Sequence, residues 1–214
     1  MSGPLTLRPY TSADLAAVYD ICLRTGDAGK DAREHYHDPW VLGHRYAGPY
    51  VALEPGFAFV VDNGARAVGY VLGVPDSVRF AAESEAKWFS VLRPLYPRPD
   101  RADNSRTDER RTDNSRDAAA HRLIHAGYAA PTGNWTAHYP AHLHIDLLPE
   151  AQGQGLGRML MERLWAALRA AGVPGVHLGV GTLNPGALAF YRHLGFTELE
   201  NFEDRLYTLG YDLR

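Results

Sequence analysis

Apolar and polar residues alternate along the chain with two distinct periods, and glycine and proline mark where one period gives way to the other. Residues 5–10, LTLRPY, carry the two-residue period of a strand. Across 11–26 the spacing lengthens. Leu15, Val18, Tyr19 and Cys22 fall at i, i+3, i+4 and i+7, a helical stripe that Thr11 or Ser12 can cap and Gly26 stops. Asp38-Pro39 has the character of a cap and first residue of a second helix, running toward Gly48. Two apolar runs in 57–74 flank Asn63-Gly64, a pair suited to the positive backbone angles of a tight turn, so a hairpin is predicted. Ser77 to Leu92 reads as a helix packed through Phe80, Trp88, Phe89 and Leu92 and ended by Pro94, Pro97 and Pro99.

The second half is patterned more sharply. In 142–148, His142, His144 and Asp146 alternate with Leu143, Ile145 and Leu147, so one side of the strand faces a core. The polar side must face a site, solvent or hydrogen-bonding partners. A glycine-rich turn follows. From Gly155 a helix places Leu156, Leu160, Leu164 and Leu168 near one side and ends at Gly172, before Pro174. The short apolar strand 176–180 should lie parallel to 142–148, because the helix between them makes a right-handed crossover. Asn184-Pro185 starts a helix carrying Leu188, Tyr191 and Leu194 and stopping at Gly195, and two last strands are predicted at 196–200 and 205–213.

Between the halves, residues 98–117 break the pattern. Asp-Asn-Ser-Arg occurs at 103–106 and again at 113–116, no apolar residue is larger than alanine, and six arginines balance six acids. Such a stretch cannot bury enough surface to order itself, so a flexible insertion is expected within one domain of residues 1–214. Asp117 is predicted to cap a short helix through Leu123 and Ile124. The aromatic loop 127–140 and the polar loop 27–38 are expected to frame a pocket, with Trp135 and Tyr139 alternatively covering the core.

Composition narrows the function classes. The net charge of −3 and the absence of a long basic run disfavour nucleic acid or an anionic membrane as partner. The single cysteine, Cys22, excludes an intrachain disulfide framework and suits a reducing compartment, and its place on a helical stripe marks it as packed rather than nucleophilic. Residues 1–20 lack the apolar core of a signal peptide, and no run reaches the length of a membrane span, so a cytoplasmic location is expected. His35 and His37 form a His-x-His pair without a nearby third ligand, so no metal is expected.

The candidate chemistry lies in the turn 152–158, where Gln152, Gly155 and Gly157 join strand to helix. Backbone N–H groups there, with the free N–H groups of the helix start, make a concave donor surface for a phosphate or pyrophosphate. A dinucleotide fingerprint from Gly153 requires glycine where Arg158 stands. A kinase-type phosphate loop fails too, since Gly29-Lys30 has Arg24 at the required first glycine.

What remains, Gln-x-x-Gly-x-Gly, resembles the acetyl-coenzyme A signature of the GCN5-related N-acetyltransferases, and GVHLGVGTLNPGALAFYRHLGF (175–196) resembles the second signature of that family. The stretches DAREHYHDPWVLGHRYAGPY and YPAHLHIDLLP are also similar to the acetyltransferase-like C-terminal domain of the O-GlcNAcases, which departs from the glycine signature intact here. The chain would be a free-standing bacterial-type relative. The resemblance implies a mixed α/β fold: a central, mostly antiparallel sheet with one parallel, splayed strand pair and helices on both faces.

It implies as well that acetyl-CoA is the cosubstrate. The pantetheine arm would lie in the gap beside Asp146, Leu147 and Leu148. The pyrophosphate would rest on the turn formed by Gln152, Gly153, Gln154, Gly155, Leu156, Gly157 and Arg158. Asn184 would bond the arm, and Tyr191 would stand near the sulfur as general acid. The N–H of Leu147 or Leu148 would donate to the oxyanion, and Asp146 or His144 would take the proton, with His142 a weaker candidate. The expected activity is acetyl transfer to an amine of a small molecule or peptide, by a monomer or homodimer. The other reading is a non-catalytic module that keeps the fold, with or without the cofactor.

Overall fold

The computed structural model describes residues 3–96, 98, 115–203 and 205–214. Its strands are β1 (Thr6–Pro9), β2 (Ala58–Asp62), β3 (Ala67–Val74), β4 (Ala141–Leu147), β5 (Gly175–Gly181), β6 (Thr197–Phe202) and β7 (Leu206–Asp212). They form one sheet in the order β1-β2-β3-β4-β5-β7-β6. Every neighbouring pair is antiparallel except β4 and β5, which are parallel, as the crossover between them requires. That pair meets only at Ala141↔Val176 and His142↔His177. Beyond those two positions the strands part.

Helices cover both faces. On one lie α1 (Leu15–Arg24), α2 (Val41–Tyr46) and α3 (Gly48–Leu53). Thr11 and Asp14 form a capping box at the entry to α1, and Arg8 on β1 holds the Asp14 carboxylate at 2.7 Å. The buried stripe of α1 is Val18, Tyr19, Ile21, Cys22 and Leu23, whereas Leu15 is left exposed in the first turn. The predicted second helix starts later than Asp38-Pro39, at Val41 after Trp40, and a further helix follows it. Ala47 breaks the run, and the chain restarts at Gly48 with Pro49 in the first turn, where a missing N–H costs nothing.

The hairpin turn spans 63–66, wider than a two-residue turn, because the Asn63 side chain accepts from the N–H groups of Ala65 and Arg66. Beyond β3 come α4 (Ser77–Ser84), capped by Asp76, a π-helical turn at Glu85–Phe89, and the short α5 (Ser90–Leu92). The insertion expected at 98–117 lies outside the described residues except at its ends. Helix α6 (Ser115–Ala126) begins before Asp117, which therefore sits in the first turn and does not cap it. Its carboxylate instead accepts from the backbone N–H of His37 at 3.0 Å.

The opposite face carries α7 (Leu156–Ala170), which buries Leu156, Leu160, Met161, Leu164, Trp165 and Leu168. Each buried leucine contributes roughly 2 kcal/mol. Gly73 on β3 lets α7 approach, since a Cβ there would stand 2.5 Å from Leu164 Cδ1. The last helix, α8 (Pro185–His193), is capped by Asn184, whose Oδ1 accepts from Ala187 N–H at 3.0 Å. Among the described residues no helix is long and apolar enough to cross a membrane.

Candidate functional site

The polar side of β4 is covered by α1, α2 and α3, and each of its three polar residues has a defined role. Ser77 Oγ donates its one hydrogen to Pro140 O, so His142 Nδ1–H must donate to that Oγ. His142 Nε2 then accepts from Tyr50 O–H at 2.7 Å. His142 is thus neutral and fully committed, and burial together with His177, His144 and Arg45 pushes its pKa well down. It is no base. His144 packs edge-on against Tyr46 and Tyr50, and burial followed by Arg45 lowers it to about 4, so it too is neutral at pH 7. Asp146 accepts from Tyr70 O–H at 2.6 Å. Burial raises its carboxyl to about 6, with hydrogen bonds from Tyr70 and Thr25 pulling the other way.

The opening between β4 and β5 exposes one edge of β4, and the register with β3 decides which backbone groups face it. Leu148 N–H donates to Val68 O at 2.9 Å, and its carbonyl accepts from Ala151 N–H. Antiparallel alternation therefore turns the backbone groups of Asp146 and His144 toward β3, and those of Leu147 and Ile145 toward the gap. Leu148, expected as an oxyanion donor and cofactor contact, is fully buried and unable to serve as either. The Leu147 carbonyl accepts from Gln152 Nε2 at 2.8 Å, which ties the glycine turn to the strand end.

Within the turn, Gly153 and Gly155 have φ of +71° and +76°, and a Cβ on either would meet nothing within 4 Å. Among the described residues no group accepts from the N–H of Gly153 through Arg158. These donors, the α7 dipole behind them and the space in front suit a diphosphate. Gly157 has a different reason to be glycine: its Cβ would press on Phe190 Cζ at 3.2 Å, where α7 meets α8. Gln154 folds its side chain back to Glu150 O, and Arg158 pairs with Glu162 one turn on.

Two cavities meet at this edge. The larger, about 710 Å³, runs over Gln152, Gly153, Gly155, Leu156, Gly157 and Arg158 and reaches Asp146, Leu147, Asn184 and Tyr191. The smaller, about 390 Å³, lies beyond, between α1, α2 and the β5–α8 loop. Asp146, Asn184 and Tyr191 line both. Tyr191 is buried, and burial followed by the nearby Asp146 raises its phenol, which keeps it protonated.

The sequence pattern misses Thr25, Phe190 and His193, which also line the larger cavity, together with Gly29 and Lys30 of the loop 27–38. Gly29 lies against the Asn184 side chain: a Cβ there would stand 3.4 Å from Asn184 Nδ2. The loop 27–38 borders both cavities through Ala28 and Gly29. The loop 127–140 borders neither: Trp135 and Tyr139 cover the closed end of the strand pair, at His177. His35 and His37 pair with Asp27 and Asp117, and among the described residues no group of three metal-ligating side chains occurs.

Residues 118–198 match the model of the acetyltransferase (GNAT) domain. The crystal structure of SsHAT superposes with a TM-score of 0.85 and 44% identity, covering 98% of each chain. The chain belongs to the GNAT acetyltransferases. Membership accounts for the glycine turn, the parted strands and the mixed sheet as one inherited arrangement. The structure of yncA from Salmonella typhimurium with its cofactor acetyl-CoA shares this GNAT fold at a TM-score of 0.53 and 16% identity, over 98% of this chain and 94% of that one. Protein O-GlcNAcase of Rattus norvegicus is 24% identical over 198 residues, 92% of this chain. The chain spans only 20% of that relative's length.

Proposed function

We propose that residues 1–214 act as one domain that transfers the acetyl group of acetyl-CoA to an amine of a small molecule or peptide in the cytoplasm. The observation that carries this reading is the junction of two cavities at Asp146, Asn184 and Tyr191. One cavity has the donors for a diphosphate, and the other has room for an acceptor.

In this reading the N–H groups of Gly153 to Arg158 hold the diphosphate, with Lys30 and Arg158 adding positive charge. The pantetheine arm lies along the open edge of β4, where it supplies the strand contacts that β5 does not. Asn184, whose Oδ1 caps α8, turns its amide N–H groups to the arm. Leu147 N–H donates to the charge developing on the thioester oxygen.

The amine nitrogen bonds to the acyl carbon and the carbon–sulfur bond breaks. The nitrogen's proton passes to Asp146, directly or through water, and the departing sulfur takes a proton from Tyr191. A carboxyl near 6 is ionised at neutral pH yet basic enough to accept that proton.

Likeness to O-GlcNAcase motivates a second reading, a binding module without turnover. Titration calorimetry with acetyl-CoA, followed by thiol release across amines, aminoglycosides and peptides, separates the two. Turnover that falls in Tyr191→Phe supports the enzyme. Tight binding without turnover on any acceptor supports the module.

A further inference from the structure

The smaller cavity has a charge pattern that narrows the acceptor. Asp146 is the single formally charged side chain among the described residues lining it. His144, at the same wall, is neutral. Around the carboxylate the lining is mixed: Leu42, Tyr46, Leu143, Val180 and Leu183 stand beside Thr25, His144, Asn184 and Tyr191, all of them uncharged. The acid on the bordering loop, Asp27, does not line the cavity and is held by Arg116 at 2.9 Å and His35 at 3.6 Å. Lys30 and Arg158 line only the larger cavity.

We infer that the acceptor is a small primary monoamine with an apolar or aromatic body, its nitrogen at Asp146 and its body against Leu42 and Tyr46 of α2. This rests on the acetyltransferase reading and goes beyond it by excluding two classes of amine. A polyamine or aminoglycoside would bring a second ammonium to a cavity whose described lining holds no second carboxylate to receive it. An amino acid would bring its own carboxylate beside Asp146, where no cation balances the pair. A single ring on a short alkylamine fits the volume and leaves no charge stranded.

The test measures thiol release from acetyl-CoA with 2-phenylethylamine, spermidine, kanamycin, phenylalanine and a lysine-bearing peptide. The expected result is a kcat/KM for 2-phenylethylamine at least tenfold above each of the others. Leu183→Asp then adds a second carboxylate on an exposed loop residue at the cavity wall, 87% accessible and safe for folding. It should lower kcat/KM for 2-phenylethylamine and raise that for spermidine at least fivefold. Faster turnover of spermidine or kanamycin by the unaltered protein overturns the inference, as does an unchanged ratio in Leu183→Asp. A lysine peptide outpacing 2-phenylethylamine assigns the apolar wall to a lysine stem and overturns it equally. Binding of acetyl-CoA with no acceleration by 2-phenylethylamine defeats the acceptor assignment alone, whereas failure to bind acetyl-CoA defeats the acetyltransferase reading beneath it.

Discussion

Tyr70 on β3 donates a 2.6 Å hydrogen bond to Oδ2 of Asp146 on the neighbouring strand, and this contact sets how easily the carboxyl ionises in a buried setting. Burial holds Asp146 at about 6, and the phenol favours the charged form. If Asp146 takes the amine's proton, kcat rises with pH through about 6. Tyr70→Phe removes a donor to the charged form and should move that limb upward by about 1 pH unit, the equivalent of a hydrogen bond to a charged group. Asp146→Asn should abolish the limb. A pH profile of kcat unmoved by Tyr70→Phe would remove Asp146 from the role.

The same carboxyl has a stability signature of opposite sense to that of an ordinary paired acid. Its folded pKa lies above its unfolded value, so its favourable contribution is complete below the ordinary carboxylate range and is lost as pH rises through about 6. Asp146→Asn should therefore raise Tm at pH 7.5 relative to the unaltered protein and gain nothing at pH 4. Thermal unfolding at the two values checks this.

Gly155 and Gly172 both have positive φ, +76° and +72°, and both look onto open space, but they lie at opposite ends of α7. Valine at either strains the backbone by about 1–2 kcal/mol. Gly155→Val should weaken acetyl-CoA binding at least tenfold by calorimetry, and Gly172→Val should lower Tm similarly with affinity unchanged. Equal affinities in the two variants would show that the turn does not hold the diphosphate.

Tyr191 lines the junction of the two cavities, where it can reach a leaving thiolate, while burial and the nearby Asp146 raise its phenol and make it a weaker acid. Tyr191→Phe should cut kcat by roughly 100-fold or more, the range of general acid catalysis, with little change in KM for acetyl-CoA. A kcat within threefold of the unaltered protein would reduce Tyr191 to packing beside Phe190 and Phe196.

Tyr50→Phe leaves His142 Nε2 without its donor in the core and should cost about 1–3 kcal/mol in urea unfolding. Acetyl-CoA affinity should not change, because His142 lies at the paired end of the strands, away from the turn.

Much of this site can be read locally in the chain. The glycine turn, Asn184 capping a helix after Gly181, and Tyr191 seven residues on are all marked by residue type and spacing. What escapes local reading depends on register and on distant partners. Whether Leu147 or Leu148 faces the gap is set by pairing with Val68, and a shift of one residue reverses the answer. His142 looks like a candidate base until Tyr50 and Ser77, 92 and 65 positions away, occupy both its nitrogens. Thr25 reaches the cavity only because α1 packs across β3 and β4, and no motif marks it. The break at Ala47 was written in Gly48-Pro49, whereas the π-helical turn at Glu85–Phe89 has no comparable signal.

The two-position contact between β4 and β5 makes this sheet two plates joined at a short seam, Ala141 and His142 against Val176 and His177. A tether lying in the rift would mend the ladder, bonding the β4 main-chain groups that β5 does not reach. Loading the coenzyme should then stiffen the middle of the molecule, slowing amide exchange at Ile145 and Leu147 far more than at Leu143's neighbours along the seam, so that substrate capture and completion of the architecture become one event.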